Sequence, residues 1–462
     1  MKKPELEELL KMEGLQIALG LANSMGANLY LVGGTIRNLI LKRKIQDIDL
    51  IIDVKGEKYA HCLASRLKSK LIILGKEKFQ TYRIPCGNFY LDIWDLKGEP
   101  LREDLWRRDF TINAIAMHLQ SGEWIDPTCG FSDLKNKIIR WVNPSVFEED
   151  PLRILRAFRF LVQLKNFSIE EGTLKGIVSS SHLIGKVAPE RVLYEMDLIF
   201  SQKDLQRILL LMDEAKILYF LFPEVHNLKN VDQNFYHPDN AFEHTLNSLF
   251  HKDGALQWLY KNLEKFKKLS PEEELDLSYA ILFHDIGKFS TRTEKGGRIH
   301  FYGHEKVGEG MARDILFRFK FSNVRKERIC NLIRNHMKPL MIILNGCSEK
   351  AIRHFIYSTG ENLRAQMGLF LCDFLSKNLE DEKPFDFIKR VWEIYRKEGK
   401  RIQKPKKIVS GEEVMKIFNL PPSEEVGKIL KAVLRKQISG EIKNKREALK
   451  YLKELKEKKC NN

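Results

Sequence analysis

The feature that most constrains this chain is a change of hydrophobic period near residue 149. Before it, short apolar runs bounded by turn residues alternate with amphipathic stretches. NLYLVGG, DIDLIID and LIILG, with two more such runs up to residue 96, predict strands, with helices after Thr35 and from His61 to Lys68. After Glu149 strand signals nearly vanish. RILRAFRFLVQL, ERVLYEMDLIF and DLQRILLLMDEAKILYFLF repeat apolar residues every three to four positions. The expected architecture is α+β, a small mixed α/β head on a long all-helical body. A chain of 462 residues is too long for one core, so several packed units are expected.

Charge narrows the partners. Lys and Arg outnumber Asp and Glu by 78 to 62, a balance that suits a polyanion such as nucleic acid. Residues 401–462 alone hold 17 basic and 8 acidic side chains, more than half of the excess. A linker is expected over residues 399–407, where Pro405 and a charge run interrupt the helical pattern. Seven scattered cysteines without a CxxC pair point to a reducing cytoplasm and away from a cysteine zinc site. The N-terminal MKKPELEELLKMEG reads as a helix and not as a signal peptide, and no apolar run is long enough for a bilayer. A cytoplasmic protein without a membrane partner is expected.

The head carries chemistry at three places. Asp47 and Asp49 are one residue apart in a strand, so both carboxylates leave the same face. Acids that close repel unless a cation lies between them, and a divalent ion is the simplest one. Asp92, in FYLDIWDL, is the candidate third acid, while Asp95 is expected to face away. Gly33 and Gly34 end a strand and precede a helix, where backbone N–H groups can meet a phosphate, and Arg37 lies one turn on to hold a triphosphate. Two Mg²⁺ ions on Asp47, Asp49 and Asp92 would activate a hydroxyl and clamp a triphosphate, so nucleotidyl transfer is the reaction class implied.

The strings LVGGTIRN, DIDL, DLWRRDFTINAIA, IDPTCGFSDLKNKIIR, FEEDPLRILRAFRF and APERVLYEM follow one another without a gap in order. Together they resemble the bacterial tRNA nucleotidyltransferase and poly(A) polymerase family, class II. The resemblance implies a nucleotidyltransferase head (1–145), a neck with a base-reading helix (146–200), a helical body (201–400) and a basic tRNA-binding tail (401–462). It implies that Arg108, Asp109 and Asn113 bind ribose and phosphates, and that Asp126 and Gly130 are structural. Glu149, Asp150 and Arg153 match the base-reading EDxxR. An acid and a guanidinium three apart on a helix complement the donor–acceptor edge shared by cytosine and adenine, and do not choose between them. Arg156 and Arg159 are expected to support that face or the RNA.

Full CCA-adding members carry an extended loop between the third carboxylate and RRDF. Here only about a dozen residues, WDLKGEPLREDLW, intervene, and Lys97 stands where many relatives have Arg. This resembles the CC-adding subgroup, which implies CTP and tRNA as substrates, with ATP left open, and a separate A-adding enzyme acting afterwards. Complete CCA addition, poly(A) synthesis, and a phosphohydrolase with an RNA-binding head are the alternatives.

A second constellation lies in the body: His244, His284, Asp285, His304, His336 and Asp373. Imidazoles with carboxylates are typical ligands of transition metals, and the adjacent His-Asp resembles the HD phosphohydrolase domain of some relatives.

Overall fold

The computed structural model describes residues 4–75, 80–96, 98–232, 240–377 and 379–460, so Lys97 lies outside the described residues. The chain divides into two compact units, Met1–Val187 with Ala215–Ile217, and Ala188–Glu214 with Leu218–Asn462. No helix among the described residues is long and apolar enough to cross a membrane.

The first unit begins with helices α1 (Pro4–Leu10) and α2 (Glu13–Ser24) and continues as a mixed sheet interrupted by helices. Its strands are β1 (Leu29–Val32), β2 (Asp47–Ile52), β3 (Ile72–Leu74), β4 (Thr81–Cys86), β5 (Phe89–Asp95), β6 (Ala116–His118) and β7 (Trp124–Ile125). They lie side by side in the order β3-β4-β5-β2-β1-β6-β7. Within this sheet only β2 and β5 pair in parallel, because the chain crosses over between them through α4 (Gly56–Arg66) and the β3–β4 hairpin; a separate parallel pair joins Ile138–Ile139 to Ser168–Ile169. That pairing sets Asp49 opposite Asp92 and Asp47 opposite Tyr90.

Alternation in β2 sends Ile48, Leu50 and Ile52 into the core and leaves Asp47 and Asp49 on the other face. Helices α2 and α4 complete the core, locked where the buried Tyr59 hydroxyl donates to the carbonyl of Ala18 at 2.7 Å. Helix α3 (Gly33–Ile40) starts directly at the glycine pair, a turn earlier than the sequence predicts. After α5 (Leu101–Trp106), α6 (Gly130–Asn136) and α7 (Val146–Glu149), the longer α8 (Leu152–Gln163) buries Ile154, Leu155, Ala157 and Phe158.

Among its described residues the second unit is helical apart from one two-stranded hairpin, Thr293–Lys295 with Arg298–His300. Helices Pro271–Phe283 and Leu363–Leu375 are buried nearly all round and form its centre. The expected linker over 399–407 begins later than its charge run suggests, because the helix Lys383–Gln403 continues to Gln403. Beyond it, helices Gly411–Phe418, Glu424–Ile438 and Lys445–Cys460 share a small core of Val414, Ile429, Val433 and Leu452.

Candidate functional sites

The three acids of the head are fixed by their strands and by Thr35. The Thr35 hydroxyl donates to the Asp47 carbonyl (3.2 Å) and accepts from the Asp49 N–H (2.7 Å), while the Thr35 N–H donates to Asp49 Oδ2 (3.3 Å). Burial raises the Asp49 carboxyl to about 6, with Asp92 adding to the rise against Arg108 and Arg37. Asp47 is also raised, by burial first, and Arg83 opposes the rise. Carboxyls that share a face and resist ionisation in one another's presence are the donor set of a hard divalent cation, so Mg²⁺ fits. Asp95 turns away and accepts from the Gly56 N–H at the start of α4 (2.9 Å).

Gly33 has φ +63°, a left-handed conformation, and a side chain there would meet the Arg108 guanidinium at 2.8 Å. The turn thus brings bare backbone beside Asp49 and Arg108. Around it runs a hydrogen-bonded chain. Arg37 Nη1 donates to Asn113 Oδ1 (2.6 Å), Asn113 Nδ2 to Asp109 Oδ1 (2.8 Å), and Arg156 Nε to Asp109 Oδ2 (2.8 Å). Burial is the largest influence on Asp109 and pushes it up, yet Arg156 and the bonds from Asn113 and the Phe110 N–H outweigh it and hold it near 2. Asp109 is therefore a fixed anion at neutral pH. Arg37, half-buried over the Phe160 ring, is lowered to about 10 by desolvation and stays charged. Arg108 reaches Asp104 (3.1 Å) and the Asn113 carbonyl (3.3 Å), and Arg159 lies over the Phe160 ring at 4.7 Å.

Asp150 and Arg153 are placed differently from the helix-face geometry expected of them. Asp150 stands in extended backbone between α7 and α8, where its carboxylate accepts from the Leu152 N–H (3.2 Å). Pro151 explains the break, since a residue before proline avoids the helical region. Arg153, in the first turn of α8, donates to the carbonyls of Arg107 (2.7 Å) and Val146 (3.3 Å) and to Glu149 (3.3 Å). Asp126 accepts from the N–H groups of Gly130 (2.7 Å) and Phe131 (2.9 Å), which caps α6. The connection from β5 to Arg107 is short and largely filled by α5, with Arg107 paired to Glu99.

In the second unit, residues far apart in sequence converge as two buried groups, His244 with His284 and Asp373, and Asp285 with His304 and His336. Three imidazoles turn their Nδ1 to a carbonyl three residues back: His284 to Ile281 (2.7 Å), His304 to Phe301 (2.8 Å) and His336 to Ile333 (2.7 Å). With Nδ1 the donor, Nε2 carries the lone pair and points inward. The fully buried Nε2 of His284 lies 3.2 Å from Asp285 Oδ2 without making a well-aligned hydrogen bond, a demand that a bound cation would meet. Burial, then His284 and His304, lowers His336 to about 3, keeping it neutral. Burial also lowers His244, whereas at His284 burial is outweighed by Asp285, which raises it; imidazoles with buried carboxylates fit a transition metal.

Sequence reasoning missed Arg83, Thr35, Lys288 and Lys377. Lys288 and Lys377 pair with Asp285 (2.6 Å) and Asp373 (3.1 Å), each within one helical turn of the acid it neutralises, and that spacing was available as a signal. Arg83 chelates Asp92 and was legible only through hairpin register.

The chain is similar to known proteins along nearly its whole length. Residues 29–140 match a family model described as the Poly A polymerase head domain, residues 166–229 one described as the probable RNA and SrmB-binding site of polymerase A, and residues 253–368 the HD domain. The chain is 31% identical to the CC-adding tRNA nucleotidyltransferase of Thermus thermophilus, over 91% of this chain and 92% of that one. It is 28% identical to the A-adding tRNA nucleotidyltransferase of Deinococcus radiodurans, over 91% and 94%. The solved structure of the Thermotoga maritima CCA-adding enzyme complexed with tRNA shares the fold, with a TM-score of 0.60 and 21% identity over 98% of this chain and 95% of that one.

Proposed function

Since the chain belongs to the family of tRNA nucleotidyltransferases and poly(A) polymerases, we propose that it is the member that adds two cytidines from CTP to the 3′ end of tRNA and stops. The single observation that carries the stop is the short connection between β5 and Arg107, which leaves no room for the extended loop of full CCA-adding relatives. Relatives of all three kinds match along the chain, the CC-adding one at 31% identity, the A-adding one at 28% and a CCA-adding enzyme of Lactococcus lactis at 26%.

Asp47, Asp49 and Asp92 would hold Mg²⁺, which would activate a primer 3′-hydroxyl and balance the charge of the departing pyrophosphate. The residues themselves do the positioning. Gly33 and Gly34 offer backbone N–H groups to the triphosphate, and Arg37 and Arg108 neutralise it. Asp109, kept ionised by Arg156 and oriented by Asn113, accepts from ribose hydroxyls. Asp150 and Arg153 read the base edge, accepting cytosine or adenine and leaving buried groups unpaired against uracil or guanine. The basic tail contacts the tRNA backbone. In the second unit, His244, His284, Asp285, His304, His336 and Asp373 hold a transition metal. The enzyme works in the cytoplasm, and a separate A-adding enzyme completes the tRNA end.

The deciding experiment offers transcripts ending at the discriminator base, at C and at CC, each with single nucleotides and with mixtures. Two cytidines are gained from CTP by the first transcript and one by the second, while ATP is a poor substrate throughout. Efficient A addition to the CC-ended transcript overturns the CC-only reading and leaves the complete CCA reaction.

A further inference from the structure

Strand β4 carries a cation that aims at the carboxylates. The hairpin from β4 to β5 pairs Cys86 with Phe89, which sets Arg83 directly opposite Asp92. Both side chains leave the same face of the sheet, the face that also bears Asp47 and Asp49. The guanidinium grips both oxygens of Asp92, Nε to Oδ1 at 2.8 Å and Nη2 to Oδ2 at 2.6 Å. The same Nη2 lies 3.7 Å from Asp47 Oδ1. Its other surface rests on the Tyr90 ring, 4.9 Å from the centroid, and Tyr90 is the register neighbour of Asp47. Asp92 is almost fully covered, whereas Arg83 keeps about a third of its side chain open, 30% against 7%.

One positively charged group therefore bridges two of the three acids proposed to hold metal. Two roles fit a bidentate arginine there. A purely structural partner would hold Asp92 in place with or without an ion, and its loss would weaken ion binding. A stand-in for the ion would compete with it, since Nη2 occupies the space between Asp47 and Asp92 that a shared cation needs. The geometry favours the second role. The contact to Asp92 Oδ2 and the approach to Asp47 come from the same Nη2, so an ion between the acids displaces that nitrogen from both at once. Nε can keep Oδ1 meanwhile.

We infer that Arg83 is a positioning residue that holds Asp92 and Asp47 together in the metal-free head and yields Nη2 when a divalent ion binds. This rests on the reading of Asp47, Asp49 and Asp92 as the metal-holding acids. The freed Nη2 stays on the Tyr90 platform, a cation left beside the metal-holding acids and able to meet an anionic oxygen of a triphosphate. Arg83 thereby lowers affinity for the free ion and keeps the carboxylates from repelling one another before it arrives.

The test measures Mn²⁺ binding by electron paramagnetic resonance on the full chain, without nucleotide. The Asp47→Ala variant serves as the blank that leaves any ion of the second unit in place. Arg83→Gln should bind Mn²⁺ about tenfold more tightly than wild type, because a unit charge a few ångströms from the ion is removed. Its half-maximal Mg²⁺ concentration for nucleotide addition should fall in step, while the KM for CTP rises. Arg83→Lys keeps the charge but not the fork, and should fall between the two, so it carries the test if the Gln variant does not fold. Unchanged or weaker Mn²⁺ binding in the folded variants overturns the inference. If instead Asp47→Ala removes no ion, the three-carboxylate reading fails, and the role of Arg83 fails with it.

Discussion

Burial raises Asp49 to about 6, with Asp92 lying opposite it across the parallel pair. A carboxyl raised above its unfolded value near 3.8 favours the protonated folded chain. That contribution to stability is full below about pH 4 and is lost as pH rises through about 6. In a chelator at pH 7.5, Asp49→Asn should therefore melt higher than wild type, by about 1–3 kcal/mol at roughly 1.4 kcal/mol per unit. The difference should shrink toward pH 4 and also on adding Mg²⁺, and a gap that widens in acid would count against burial as the cause. Function runs the other way. Replacing Asp47 or Asp49 by Ala should lower addition on the order of 10³-fold or more, as expected when a metal's charge stabilisation is lost. Gel-shift affinity for tRNA should stay level or rise slightly. Retained activity in either variant would remove that residue from the metal set. The DxD spacing and the apolar setting of Asp92 were plain in the sequence, whereas Arg83 was not, since its role depends on which residue faces it across the hairpin.

At the scale of elements, turns and caps decide which side chains meet. Alternation predicted the common face of Asp47 and Asp49 because a strand has a fixed period of two. Asp150 and Arg153 were harder, because Pro151 breaks the helix between them and replaces a shared face with two separately anchored side chains. Gly130 shows the same dependence on local packing. It opens α6 under the Asp126 cap, and a β-carbon there would meet the Thr111 carbonyl at 2.2 Å and Ile115 at 2.7 Å. Gly130→Ala should thus destabilise the first unit by about 1–3 kcal/mol, the usual range for overpacking. Because Thr111 leads into Asn113, it should also raise the KM for CTP. A melt that separates the unfolding of the two units, run beside steady-state kinetics, checks both effects. A melt and a KM matching wild type would mean that the turn relaxes freely.

Across the whole molecule, two ligand sets of different chemistry are built in two units. Oxygen donors alone suit Mg²⁺ in the first, and imidazoles with carboxylates suit a softer ion in the second. His284→Ala combined with Asp285→Ala should remove any bound transition metal, and with it any phosphatase or cyclic phosphodiesterase activity, while nucleotide addition stays largely intact. Metal analysis of the purified protein comes first, then phosphate release from nucleotide monophosphates and cyclic phosphates with Mn²⁺, Ni²⁺ or Fe²⁺. Loss of nucleotide addition in a folded double variant would show that the two sites are coupled. The sequence by itself determined the α+β head, the helical remainder, the acids and the histidines, because period and residue chemistry are local properties of a chain. Only the tertiary structure decided that His244, from one helix, and Asp373, from another 129 positions on, lie 3.0 Å apart. It likewise decided that Arg83 closes on Asp92, that Arg156 holds Asp109, and which nitrogen of each imidazole faces inward. Such pairings depend on register, crossover and the packing of distant helices, and no local period encodes them.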